Sequence, residues 1–261
     1  MNYFVKEGDF NMKRKELLKK ISCILVGGLI STMVLNGCSS KEIETAQTET
    51  ETTISMEAED LHEEGVTYEE AETAIIEGNK RFVSGELLNK DLSSEVRTDL
   101  SENGQHPFAT ILTCSDSRVA PELIFDQELG DLFVIRDAGN VTDTVETGSV
   151  EYAVEHAGTP LVIVLAHEKC GAVQATVEGG ETTPGIQAII DKIKPSFDKV
   201  KQANKDASDE EIASEVENEN AKETVNELLK STVIKNLVDS GKLKVVAAKY
   251  HLESGEVEFL N

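Results

Sequence analysis

At 261 residues the chain is long enough for one α/β domain with appendages and leaves little room for two full domains. Its 49 acidic residues outnumber 25 basic ones, a net charge of -24, so an electrostatic grip on phosphate backbones is disfavoured and nucleic acid is not an expected partner. With 39% hydrophobic residues it is neither a multi-span membrane protein nor wholly disordered, and these averages conceal sharp regional differences.

In chain order, residues 13–20 (KRKELLKK) are strongly basic and Ile21–Leu35 then runs uncharged for 15 residues, the order of a signal peptide. A permanent spanning helix needs about 20 apolar residues, so cleavage is expected. The run ends Leu35-Asn36-Gly37-Cys38, which resembles the bacterial lipoprotein box, Asn36 being atypical of it. That resemblance implies loss of residues 1–37, acylation of Cys38 and a lipid anchor on the extracytoplasmic face of a bacterial cell membrane. The alternatives, a plain anchor helix or a secretory signal with an incidental cysteine, still take the domain onto or across a membrane. Residues 38–66 read as an acidic, disordered tether: positions 39–66 carry nine acidic side chains against Lys41 alone. Such a segment cannot bury enough apolar surface to offset its ordering entropy.

Residues 67–261 read as the folded domain. Thr67-Tyr68-Glu69-Glu70 has the form of a capping box, and Ala71, Ala74, Ile75, Phe82 and Val83 follow at roughly helical spacing. Short apolar runs then alternate with helical patterns: FATIL at 108–112, LFVIR at 132–136, a helix-like GSVEYAVEHAG at 148–158, and LVIVLA at 161–166. Runs apolar at nearly every position predict a parallel-core sheet covered by helices on both faces, hence an α/β fold. Residues 196–231 are mostly polar with widely spaced aliphatics, which predicts exposed helices on the surface and carries no chemistry. KVVAAKY at 244–250 and EVEFL at 256–260 flank Ser254-Gly255 and predict a C-terminal hairpin.

Of four cysteines, only Cys114 and Cys170 fall in the domain. Cys114 follows one predicted strand, and His167 and Cys170 follow another, where open α/β sheets place ligands. Two thiolates and an imidazole with an open fourth position form one of the catalytic zinc sets. The spacing alone also allows two buried cysteines with a core histidine, or a disulfide between Cys114 and Cys170 in an oxidising compartment. Asp116 and Arg118 follow Cys114 at once, and a disulfide has no need of them.

The string Cys114-Ser115-Asp116-Ser117-Arg118-Val119, with PELIFDQELGDLFVIRDAGN at 121–140, GSVEYAVEH at 148–156 and HEKCGAV at 167–173, resembles the β-class carbonic anhydrases over essentially all of 67–261. The resemblance implies a zinc lyase that interconverts CO2 and bicarbonate through a zinc-activated water, with Cys114, His167 and Cys170 as ligands and Asp116 with Arg118 as the catalytic dyad. In the family the aspartate either accepts a hydrogen bond from the activated water or closes the site by binding zinc itself. Gln105, nine residues before Cys114, matches a glutamine of open-site members that reaches bicarbonate, and Phe133 and Tyr152 match aromatic pocket positions. The chain departs from the family pattern at Ala166, Glu168 and Asp137, where Gly, Ser or Thr, and Asn are customary. Carbonyl sulfide or carbon disulfide hydrolysis on the same zinc is the competing activity, and a non-catalytic zinc-bearing surface lipoprotein the more distant one. The family resemblance also implies a homodimer or higher even oligomer.

Overall fold

The computed structural model of the protein describes residues 65–260; the expected signal peptide, Cys38 and nearly all of the tether lie outside the described residues. The domain opens with α1 (Tyr68–Ser84), whose start is the reciprocal cap expected from the sequence. Thr67 Oγ1 accepts from the Glu70 amide at 3.3 Å, and the Glu70 carboxylate accepts from the Thr67 amide at 2.8 Å. A short helix α2 (Ser94–Asn103) leads into β1 (Ala109–Cys114), followed by α3 (Pro121–Ile124). Only glycine permits the approach of α1 to the chain after α3, because a Cβ on Gly78 would lie 1.8 Å from the Phe125 carbonyl oxygen.

The remaining strands are β2 (Leu132–Asp137), β3 (Leu161–His167), β4 (Lys244–Tyr250) and β5 (Val257–Leu260). Among the described residues they form one sheet with β1 in the order β2-β1-β3-β4-β5. The first four are mutually parallel and β5 runs antiparallel to β4, closing the predicted hairpin. β1 and β3 lie in the middle and are buried throughout. Along β3, Leu161, Ile163 and Leu165 join Ala71 and Ile75 of α1 in one apolar cluster, while Val162, Val164 and Ala166 join a second cluster on the opposite face. An apolar residue at every position is thus what a strand covered on both sides requires. Each fully buried Leu, Ile or Val contributes about 1.5–3 kcal/mol, which makes β3 the densest stabilising segment of the sheet.

The second face is covered by α4 (Thr144–Glu155), α7 (Asp209–Leu228) and α8 (Thr232–Asp239), with α5 (Gly171–Glu178) and α6 (Pro184–Ala203) beside the sheet's carboxyl ends. Helix α4 starts before the expected residue 148 because Asp143 and Glu146 form a second capping box. The reading of 196–231 as exposed surface helices is corrected. In α7, Ile212, Ala213, Val216, Glu217, Asn220, Ala221, Thr224 and Leu228 are all buried. The aliphatics look sparse in the sequence because polar residues occupy the buried positions between them.

Candidate metal centre

The parallel register sets the carboxyl ends of β1 and β3 side by side, so their last residues, Cys114 and His167, emerge together. Cys170 follows after a tight turn through Lys169, whose φ of 53° is left-handed, and serves as the residue before the first turn of α5. The two sulfur atoms and one imidazole nitrogen lie within 4.8 Å of one another. Cys114, His167 and Cys170 are 5%, 1% and 1% exposed. Both thiols are free in this structure.

Three observations fit this trio to zinc. His167 Nδ1 donates to the Glu168 carbonyl at 2.8 Å, which leaves the Nε2 lone pair facing the thiols. That Nε2 is buried and has no hydrogen-bond partner, an arrangement whose cost a cation removes. The thiols themselves are mismatched. The Cys114 thiol is held well below its ordinary range, foremost because Cys170 donates a hydrogen bond to its sulfur, aided by the Gly139 amide at 3.3 Å. Cys170, the donor of that bond and buried against a thiolate, is pushed up. A divalent ion lets both ionise, and soft sulfur with borderline nitrogen selects Zn²⁺ over Mg²⁺ or Ca²⁺.

Asp116 and Arg118 stand at the rim as expected. Asp116 Oδ1 accepts from Arg118 Nε at 2.9 Å and Oδ2 from Nη2 at 2.7 Å, a fork-on-fork pair. The Arg118 guanidinium holds the Asp116 carboxyl well below the usual carboxylate range. Asp116 Oδ2 lies 3.9 Å from His167 Nε2, so the carboxylate borders the metal position while committed to arginine. Arg118 Nη2 also reaches the Lys169 carbonyl at 3.3 Å, tying the two ligand loops together.

Sequence reasoning missed two supports here. Arg136, at the end of β2, donates from Nε to the Cys114 carbonyl at 3.2 Å and from Nη2 to the Asp116 carbonyl at 2.7 Å. Gly139, with φ of 85°, brings its amide to the Cys114 sulfur, and a Cβ there would lie 2.9 Å from Ile193 Cδ1. The left-handed glycine was readable in principle from the Asp-Ala-Gly-Asn corner; its partner sulfur was not. Nearby Asp137 takes the Val141 amide at 2.9 Å on Oδ1 while Oδ2 is buried without a partner, and burial pushes its carboxyl up to about 7. Glu168 does not face the metal position with a free charge. Its oxygens accept from His251 Nδ1 and from the Leu252 amide, each at 2.9 Å.

Gln105 is exposed in the loop before β1. Phe133 and Tyr152 form a tilted ring pair with centroids 6.1 Å apart, and Tyr152 is 52% exposed rather than packed in the core.

The comparisons with known proteins agree with this geometry. A sequence model of the carbonic anhydrase family matches residues 109–257. The chain is 40% identical over 190 residues to a carbonic anhydrase of Mycolicibacterium smegmatis, covering 71% of this chain and 89% of that one. It is also 40% identical over 187 residues to carbonic anhydrase 2 of Mycobacterium tuberculosis, covering 70% and 87%. Among solved structures, the β-carbonic anhydrase CcaA superposes with a TM-score of 0.61 at 28% identity, over 73% of this chain and 95% of the other. CafA of Aspergillus fumigatus, 24% identical over 73% and 91%, shares the fold with a TM-score of 0.60. Sheet order, metal trio and sequence likeness converge: the chain belongs to the β-class carbonic anhydrases, zinc enzymes that interconvert carbon dioxide and bicarbonate.

Proposed function

We propose that this carbonic anhydrase hydrates CO2 at a zinc ion held by Cys114, His167 and Cys170, with Asp116 as the acceptor that orients the reacting water and Arg118 as the group that keeps Asp116 ionised. The observation carrying this reading is the buried, unpartnered His167 Nε2 converging with two thiols beside Asp116 Oδ2. Bound there, zinc supplies the Lewis acidity that makes water a nucleophile near neutral pH. The rest falls to the chain. Two thiolates neutralise the ion's charge and so acidify water less than three imidazoles would, and Asp116 compensates by accepting a proton in a hydrogen bond. Arg118 engages both carboxylate oxygens, which opposes their movement onto the metal and favours an open resting site.

Stopped-flow CO2 hydration by Asp116→Ala, with zinc content measured on the same sample, tests this. Loss of one well-placed hydrogen-bonding group costs about 2.7–4 kcal/mol, roughly a hundredfold to a thousandfold in rate, at unchanged zinc. A rate within about threefold of the parent overturns the role of Asp116.

The reading extends to context. Gln105, Phe133 and Tyr152 line the bicarbonate pocket, completed by a second copy in an even oligomer. Exposed Val83 and Leu87, 42% and 55% accessible at and just beyond the end of α1, give such an assembly apolar surface to cover. No helix among the described residues is long and apolar enough to cross a membrane. The anchor proposed is an acyl group on Cys38, which lies outside the described residues: Cys38→Ala releases the protein from membranes or stops its processing, and unchanged membrane retention and mass refute the anchor.

A further inference from the structure

Helix α7 presents three buried polar side chains at the helical spacing i, i+3, i+7: Glu217, Asn220 and Thr224, which are 4%, 2% and 4% exposed. Each ends on the backbone of a loop that holds one of the thiols. Glu217 Oε1 accepts from the Cys170 amide at 3.2 Å. Asn220 Nδ2 donates to the Gly139 carbonyl at 2.8 Å, and Thr224 Oγ1 donates to the Asn140 carbonyl at 3.1 Å. Gly139 gives its own amide to the Cys114 sulfur, and Asn140 is held at a left-handed φ of 45°, so this corner needs outside support to keep its shape.

The other Glu217 oxygen, Oε2, is paired at 2.9 Å with Lys249 Nζ, and these side chains are 4% and 5% exposed. Lys249 Nζ also donates to the Ser214 carbonyl and hydroxyl at 3.2 Å, one turn earlier on α7. The carboxylate therefore grips the Cys170 turn without adding an unbalanced charge behind the thiolates. A helix that served only to cover the sheet would do so at less desolvation cost with aliphatic residues at these positions.

We propose that α7 is the positioning element of the metal centre. Glu217 fixes the turn that carries Cys170, while Asn220 and Thr224 fix the Gly139–Asn140 corner that holds Cys114. One rigid helix thereby sets the separation of the two thiolates. None of the three side chains touches the metal trio's ligand atoms; they act through backbone groups on the ligands' geometry. The proposal rests on the assignment of Cys114, His167 and Cys170 as ligands.

The test uses the full-length, zinc-loaded protein, with zinc affinity measured against a chromophoric chelator and the thiolate-to-metal absorption band recorded after cobalt substitution. Asn220→Leu and Thr224→Val should each weaken zinc binding roughly 10–100-fold and shift the cobalt band, the usual scale for supports of metal ligands. Thr224→Val, nearly isosteric, decides the matter if Asn220→Leu does not fold. Leu228→Ala, on the same helix but packed in the far apolar cluster, should lower thermal stability while leaving zinc affinity within about threefold of the parent. Two double variants isolate the acceptor: Glu217→Gln with Lys249→Met keeps an oxygen for the Cys170 amide and should retain zinc, and Glu217→Leu with Lys249→Met should not. Parent-like zinc affinity and an unshifted cobalt band in Thr224→Val and in the Glu217→Leu double variant overturn the proposal, as does equal zinc loss from Leu228→Ala. Cys170→Ser is measured alongside; if it binds zinc like the parent, the ligand assignment has failed rather than the positioning role.

Discussion

Helices α6 and α7 have the same length, 20 residues, and pack on one another, yet they bury different kinds of side chain. In α6 the buried residues are Ile193, Ser196 and Val200, and the rest of the helix is largely in water. In α7 eight residues are buried, and Glu217, Asn220 and Thr224 among them face backbone groups rather than aliphatic partners. The difference teaches that a polar residue on a helix can belong to the interior when a neighbouring loop has amides and carbonyls to satisfy. Hydropathy patterns register the affinity of side chains for water and are blind to that demand.

The contrast can be broken most forcefully at the ion pair. Lys249→Ala leaves Glu217 charged, buried and unpaired, and should cost about 3–5 kcal/mol in chemical denaturation of the zinc-loaded protein; a loss under about 1 kcal/mol would reduce the pair to the level of a surface contact. Next comes Ile212→Ala in α7, a fully buried position. It should cost about 2–5 kcal/mol, whereas Ile186→Ala in α6, at a site 47% exposed, should change stability by no more than about 0.5 kcal/mol. Similar losses at the two sites would erase the distinction between the helices.

The third test bears on the corner that α7 holds. The Asp137 carboxyl is raised in the folded state to about 7. Between the ordinary carboxyl value near 4 and pH 7 the unfolded chain therefore binds fewer protons than the folded one. Stability falls with rising pH across that window, by up to about 1.4 kcal/mol per pH unit, and is level above it. Asp137→Asn removes this slope, so its melting temperature should match the parent near pH 4 and exceed it at pH 8. A constant difference across the range would show that the carboxyl ionises freely. The smallest effect belongs to Lys194→Ala, which removes an exposed i,i+4 pair with Asp198 on α6 and should shift stability by only about 0.3–0.5 kcal/mol.

Where side-chain type alone dictates structure, the sequence was legible. LVIVLA read as a strand covered on both faces, and Thr67 with Glu70 announced a helix opening near 67. Spacing put the trio at strand ends but left buried cysteines or a disulfide open; it was the likeness of the Cys-Ser-Asp-Ser-Arg string to the β-class carbonic anhydrases that singled out the ligand set and the Asp116–Arg118 pair. Where one side chain serves another segment's backbone, the reading stopped. Arg136 looks like the solvent-facing residue of an edge strand, yet it ends on two carbonyls of the Cys114 loop. Gln105, Phe133 and Tyr152 mark the opposite limit, since family likeness alone singled them out and Gln105 and Tyr152 are exposed on the single chain.

The bond from His167 Nδ1 to the carbonyl of the very next residue, Glu168, has a consequence for how the site tolerates sequence change. An imidazole oriented by a distant carboxylate can be disoriented by one codon change at that carboxylate. Here the acceptor is main chain, present whatever amino acid stands at 168, so the ring's tautomer presents almost no mutational target. The side chain at 168 is released from that duty, and in this protein it is spent on a second task, clasping His251 and the Leu252 amide beyond the end of β4.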